Sequence, residues 1–138
     1  EFDDDLLTIR NIFSESQLHH VLVIEGKKVY GIISDRDLLR SLSPNLDKVN
    51  EKASDTATLN IRAHQIMTRS PIVIGPQRSV RDALAIMLKH KIGCLPVLEN
   101  AEIKGIFTWH DGFINNVHIG SYFSLEIKIA SAFPCQGL

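Results

Sequence analysis

The sequence predicts an α/β (α+β) fold built from two pseudo-twofold-related repeats, each a small sheet packed with helices. Three observations predict it. The phrase GIISDRD starting at Gly31 returns as GIFTWHD starting at Gly105, and an internal repeat decides an architecture before any motif does. The register that aligns these phrases also places Leu6 on Val80, Ile9 on Ala83, Ile12 on Ile86, Phe13 on Met87, Val23 on Val97, Glu25 on Glu99 and Asp37 on Asp111, without a gap. Within each copy the pattern passes from apolar residues at helical spacing to two short runs rich in β-branched residues.

The helices come first. Leu6, Ile9, Ile12 and Phe13 form the apolar face of one, and Val80, Ala83, Leu84 and Met87 that of the other. Asp5 and Ser79 stand just before these faces at matching positions, where a short oxygen-bearing side chain accepts from an orphan N–H of the first turn. Two strands follow in each copy, His20 to Ile24 and Val29 to Ser34, then Leu95 to Leu98 and Ile103 to Thr108. They are joined by Glu25-Gly26-Lys27 and Glu99-Asn100-Ala101, which have turn composition. One such unit leaves an apolar sheet face open, so two of them bury it by packing together.

Between the copies, residues 43–60 are rich in Ser, Asn, Asp, Thr and Lys and contain Pro44, the composition of a solvated linker. Ala63 to Met67 then reads as one helical turn and Ile72 to Ile74 as a β-branched strand leading into the second copy. The first copy has no counterpart of that leading strand. The predicted organisation is a first repeat over 1–42, a polar linker over 43–62, a second repeat over 63–117 and an atypical tail over 118–138. In the tail, Phe123, Leu125, Ile127 and Ile129 alternate with polar residues, which is either an extra strand standing in for the missing one or sequence appended to the repeat.

Composition excludes more than it names. The 138 residues carry 15 Lys plus Arg against 16 Asp plus Glu, a formal charge of -1, so no field gathers nucleic acid or an anionic membrane. No apolar run approaches the roughly 20 residues that span a bilayer. Cys94 and Cys135 form no CxxC or Cys/His ladder, which fits a reduced cytoplasmic setting and no metal. Neither a Walker loop, nor GxGxxG after a strand, nor HExxH is present. His110 has no nucleophile and orienting acid arranged beside it in sequence, and Trp109 reads as a packing anchor. No catalytic residues and no cofactor are expected.

Three features carry a family resemblance: IMTRSPIVI at 66–74, KIGCLPVLE at 91–99 matching LHHVLVIE at 18–25, and the closing glycine, two apolars, hydroxyl and Asp of GIISDRD and GIFTWHD. Together they resemble a tandem pair of CBS domains, named for cystathionine beta-synthase and also called a Bateman module. KIGCLPV, SDRDLLRSLSP and the long linker are most similar to stand-alone bacterial CBS pairs of the acetoin-utilisation type. The resemblance implies a regulatory module that senses an adenosine-type ligand, AMP, ADP, ATP or an S-adenosyl compound, and signals by conformational change as a homodimer. The alternative is a ligand-free dimerisation and protein-interaction scaffold.

An ionised carboxylate can accept from both hydroxyls of a ribose at once, and the resemblance assigns that role to Asp37 and Asp111, with Ser34 and Thr108 contacting sugar or phosphate. The same residues suit helix capping, which is compatible with binding. The resemblance further implies crosswise slots. Asp37 would be served by Ile32, Thr68, Ile72, Val73 and Ile92, with His19, His20 and Arg36 at the phosphate end, although Arg36 replaces a residue that is small in the family. The Asp111 slot would use Leu18, Ile106 and Thr108 and lack its leading strand, so the sites should be unequal. His90 and Lys91 read as a solvated helix end complementing the dipole.

Overall fold

The computed structural model describes residues 1–16 and 18–109. The chain divides into two units after Pro71, each with its own core.

In the first unit, helix α1 (Leu6–Glu15) starts where expected: Asp5 Oδ1 accepts from the Thr8 amide at 2.9 Å and from its hydroxyl at 2.8 Å. Strands β1 (His20–Glu25) and β2 (Lys28–Ser34) form an antiparallel hairpin from His20 opposite Ser34 to Glu25 opposite Lys28. Gly26 makes the turn at φ +60°, a conformation that costs a residue without Cβ little. Helix α2 (Asp35–Ser41) follows β2 without an intervening loop. Leu6, Ile9, Val23, Ile33 and Leu38 are buried together, joined by Ala63 and Met67.

Those last two residues come from the segment that, by repeat alignment, leads the second copy. Helix α4 (Ala63–Ile66) and strand β3 (Thr68–Arg69) lie in the first unit. Leu6 N–H donates to Ile61 O at 2.9 Å and Ala63 N–H to Asp4 O at 2.8 Å, and β3 pairs with β2 through Gly31 opposite Arg69 and Ile32 opposite Thr68. A Cβ on Gly31 would stand 2.6 Å from Met67 Sδ and 2.8 Å from the Thr68 carbonyl, so this close crossing requires glycine.

The linker is more ordered than its composition suggests. It carries helix α3 (Ala53–Thr56) and a 3-10 turn (Ala57–Asn60). Asp55 is buried there, accepting from Ser43 Oγ at 2.6 Å and from the Lys52 amide at 2.8 Å. Polar side chains that would otherwise be solvated instead satisfy one another.

In the second unit, Ser79 Oγ accepts from the Asp82 amide at 3.1 Å and opens helix α5 (Val80–His90), which Lys91 ends in the left-handed conformation at φ 54°. Strands β4 (Cys94–Glu99) and β5 (Glu102–Thr108) repeat the hairpin, with the register shift between Val97 and Leu98 matching that between Val23 and Ile24. Asn100 and Ala101 both have positive φ, the twist that a two-residue hairpin needs. Ile74, Val80, Ala83, Met87, Leu95, Val97 and Phe107 form the core. The strand expected over Ile72 to Ile74 is corrected to a single parallel bridge between Ile74 and Val97. Ile72 and Val73 are exposed, so their β-branching found no partner, and the strand preceding α5 lies earlier, at β3.

Candidate functional site

The end of β2 and the first turn of α2 concentrate the unit's polar chemistry. Ser34 caps α2 reciprocally with Asp37: the Asp37 amide donates to Ser34 Oγ at 3.2 Å, while Asp37 Oδ2 accepts from the Ser34 amide at 3.0 Å and from its hydroxyl at 2.6 Å. This is a capping box with Asp in the third helical position. It leaves Oδ1 without a hydrogen-bond partner among the described residues. Capping fixes the carboxylate's position and half-buries it, yet keeps one oxygen for something else.

Around this carboxylate the strands arrange other expected residues. Ser34 lies opposite His20 on β1, and Ile32 opposite Thr68 on β3, where Thr68 is exposed. His19 Nδ1 stands 2.9 Å from Asp35 Oδ2, and the His19 carbonyl accepts from the Asp35 amide at 3.1 Å. Arg36 is exposed and donates its amide to Asp35 Oδ1 at 2.8 Å. Asp35 was not foreseen as a site residue. Its hydrogen bond with His19, followed by burial acting the other way and the Arg36 amide, holds its carboxyl below the usual value. The SDRD run after a strand was the available signal, but only the fold shows that Asp35 reaches the preceding histidine.

His20 differs from its neighbour. It is half-buried, and its Nδ1 is buried with no partner among the described residues. Loss of solvation pulls its pKa down, opposed by the attraction of Asp35 and then reinforced by His19. Burial thus works against a charge on His20, while Arg36 lies exposed beside the Asp35 carboxylate.

Of the expected residues, the first unit holds Ile32, Ser34, Arg36, Asp37, His19, His20 and Thr68 around one helix start; Leu18, partly buried, precedes β1. Ile72, Val73 and Ile92 belong to the second unit. Val73 lines an open cleft of about 390 Å³ there, with Ile74, Gly75, Arg78, Asp82, Ala85 and Ile86; Arg78 and Asp82 were not foreseen. Ile92 packs at the core and its carbonyl accepts from Trp109 Nε1 at 3.0 Å, which confirms Trp109 as an anchor. Ile106 and Thr108 are partly buried on β5, and His90 and Lys91 are exposed at the end of α5. Asp111, His110, Cys135 and the tail at 118–138 lie outside the described residues. Among the described residues no cluster of three His, Cys, Asp or Glu suits a metal, and no helix is long and apolar enough to cross a membrane.

Comparison with known proteins bears on both copies. The CBS domain family matches residues 2–44 and 63–111. Inosine-5'-monophosphate dehydrogenase of Korarchaeum cryptofilum is 29% identical over 117 residues; the match covers 84% of this chain but only 21% of the dehydrogenase. Among solved structures, a protein from Vibrio cholerae assigned to acetoin utilization is 25% identical with a TM-score of 0.66, covering 83% of this chain and 77% of that one. CBSX2 in complex with AMP shares the fold at 24% identity and TM-score 0.66, covering 83% and 82% of the two chains. So does the CBS domain pair of protein MJ0100 in complex with 5'-methylthioadenosine and S-adenosyl-L-methionine, at 21% identity and TM-score 0.62, covering 78% and 77%. Two copies of one helix-and-hairpin unit, closed by the same Asp-bearing phrase and both matched by the family, lead to one conclusion: the chain belongs to the CBS domain family.

Proposed function

We propose that the chain is a regulatory module that binds an adenosine-type ligand (AMP, ADP, ATP or an S-adenosyl compound) at Asp37 and signals by conformational change, catalysing nothing itself. The observation that carries this reading is the half-engaged Asp37 carboxylate: Oδ2 is held by Ser34, and no described residue bonds to Oδ1. A ribose diol is a fitting partner for such an oxygen. Structures of the same fold hold AMP in one case and methylthioadenosine with S-adenosylmethionine in another, which supports the ligand class. Ile32 and Thr68, paired across β2 and β3, would contribute to the slot. Arg36, His19 and His20 would meet the 5' substituent. A ligand signals only by the difference in its affinity for two states of the module. The setting proposed is cytoplasmic and the assembly a homodimer.

Calorimetric titration of the folded chain with these ligands tests the reading, and Asp37→Asn separates binding from capping. The amide oxygen can still accept from the Ser34 amide, so the melting temperature should change little. Affinity should nevertheless fall about tenfold or more, the worth of one hydrogen bond to a charged group. Unchanged affinity in Asp37→Asn would remove Asp37 from the site.

A second reading, a ligand-free dimerisation and interaction scaffold, draws on the exposure of Leu7 (44%) on α1 and Leu39 (72%) on α2. It is selected instead if no adenosine ligand produces heat while the chain still self-associates.

A further inference from the structure

The capping network around Asp37 leaves a titratable neighbour unused. His20 is half-buried on β1, and its Nδ1 is buried with no hydrogen-bond partner among the described residues. Strand register places its ring. The Asp35 amide donates to the His19 carbonyl at 3.1 Å, one step outward on both strands from the His20–Ser34 pair. In an antiparallel ladder such a bond brackets a pair of the non-hydrogen-bonded kind, whose Cα atoms stand about 4.5 Å apart with their side chains close together. The assignment also explains why the Ser34 amide, pointing away from β1, is available to donate to Asp37 Oδ2 at 3.0 Å. His20 and Ser34 therefore lie side by side on one sheet face, and Ser34 Oγ donates to Asp37 Oδ2 at 2.6 Å. Alternation puts the Leu22–Ile32 pair on that same face, while Val23 and Ile33 belong to the buried core with Val21 packed against it. The imidazole thus borders both the Ile32 face and the capped carboxylate.

Charge around the ring is mixed. On β1 its neighbour is His19, whose Nδ1 stands 2.9 Å from Asp35 Oδ2. Across from it β2 presents the uncharged Ser34, and α2 presents Asp35, Arg36 and Asp37. Desolvation pulls the His20 pKa below 6.5 and outweighs the attraction of Asp35 and Asp37, while His19 and Arg36 act in its direction. An anion brought to the ring would reverse that balance. An uncharged group would leave it as it is.

We infer that His20 makes ligand choice at the Asp37 site proton-linked: a ligand with a 5' phosphate binds together with a proton taken from solvent onto the His20 ring, and a ligand with an uncharged 5' thioether binds without one. This deepens the function proposed above and rests on it, because the adenosine must first sit with its diol on Asp37. A ribose spans only a few ångströms from its diol to its 5' carbon, so the 5' substituent falls beside Ser34, where the His20 ring stands. The imidazolium then donates to a phosphate oxygen with charge-assisted strength. Since the free ring is neutral above 6.5, affinity for the phosphate ligand is greatest on the acid side and declines as pH rises toward the titration of the bound imidazolium. Acidification thereby favours the phosphorylated ligand over the thioether at fixed concentrations of both.

Calorimetric titration of the full chain with AMP and with 5'-methylthioadenosine, each in two buffers that differ in ionisation enthalpy, reads the proton directly. At about pH 7.5 the free phosphate is mainly dianionic, so uptake reports the protein. The chain should take up about half a proton or more per AMP and none per methylthioadenosine. Between about pH 6.5 and about pH 8, AMP affinity should fall about fivefold or more while that for methylthioadenosine stays level. This comparison of two ligands on the unaltered chain needs no variant. In His20→Gln the uptake with AMP should vanish and its pH profile should flatten. AMP binding without proton uptake, equal uptake with both ligands, or uptake kept in His20→Gln and lost in His19→Gln overturns the inference and leaves the Asp37 site standing. Saturable heat from neither ligand overturns it together with the site.

Discussion

Asp35 and Asp37 stand two residues apart in the first turn of α2 and serve different neighbours, Asp35 the His19 ring and Asp37 the Ser34 cap. Asp37 and Ser34 were legible because a hydroxyl three residues before an Asp, directly after a strand, is a local pattern. The pairing of Asp35 with His19 and the solitary Nδ1 of His20 were not, because both depend on which groups the hairpin shields from water. That shielding has a pH consequence. His20 in the folded chain titrates below its ordinary 6.5, so as pH falls the unfolded chain takes up a proton first. Stability contributed by neutral His20 is complete above that value and is lost as pH drops through the folded pKa. Asp5, Asp35 and Asp55, all held below 3.8 by hydrogen bonds to their carboxylates, contribute stability that is lost only at more acid pH. The urea midpoint should therefore fall between about pH 7.5 and about pH 5.5, and fall less in His20→Gln. Equal slopes in the two proteins would exclude His20 as the source. Cys94 takes no part, because burial pushes its thiol up to about 12 and keeps it protonated.

At the level of elements, what was local was readable. Both caps, both helices and both hairpins follow from side-chain oxygen, apolar spacing and turn residues within a few positions of one another. Strand β3 was not readable: Thr68 and Arg69 are exposed and short, and they are a strand only because Gly31 and Ile32, far back in sequence, lie beside them. The apolar, β-branched Ile72 and Val73 looked like the better strand and stayed in solvent. Asp55 hid in the same way, a charged residue in a polar stretch that becomes buried because Ser43 and Lys52 satisfy it. Gly31→Ala should cost about 1–3 kcal/mol, since the new methyl meets both Met67 Sδ and the Thr68 backbone. Met67→Ala in that background should recover only part of the loss, because the carbonyl cannot move aside without breaking β3 from β2. Chemical denaturation of the single and double variants checks this; full recovery would mean that the sulfur alone makes the crossing tight.

Across the whole molecule, the repeat announced two similar cores and the structure contains them, one around Leu6 and Ile33 and one around Met87 and Leu95. What the repeat could not announce is that chain segment and core are out of step, because nothing local in residues 61–69 says which unit they complete. Leu6 and Leu95 are both inaccessible to solvent, and each change to Ala should cost about 2–5 kcal/mol. The two residues share no core neighbours, so the double variant should lose the sum to within about 0.5 kcal/mol. A larger coupling in a double-mutant cycle would show that the cores respond as one. The placement of Ala63, Met67 and β3 in the first unit also matters for biosynthesis. A nascent chain emerging from the ribosome cannot finish the unit around Leu6 and Ile33 when only its helix α1 and its hairpin are out. It must wait until Arg69 has cleared the exit tunnel, with the apolar surface beside Gly31 uncovered and within reach of chaperones in the interval.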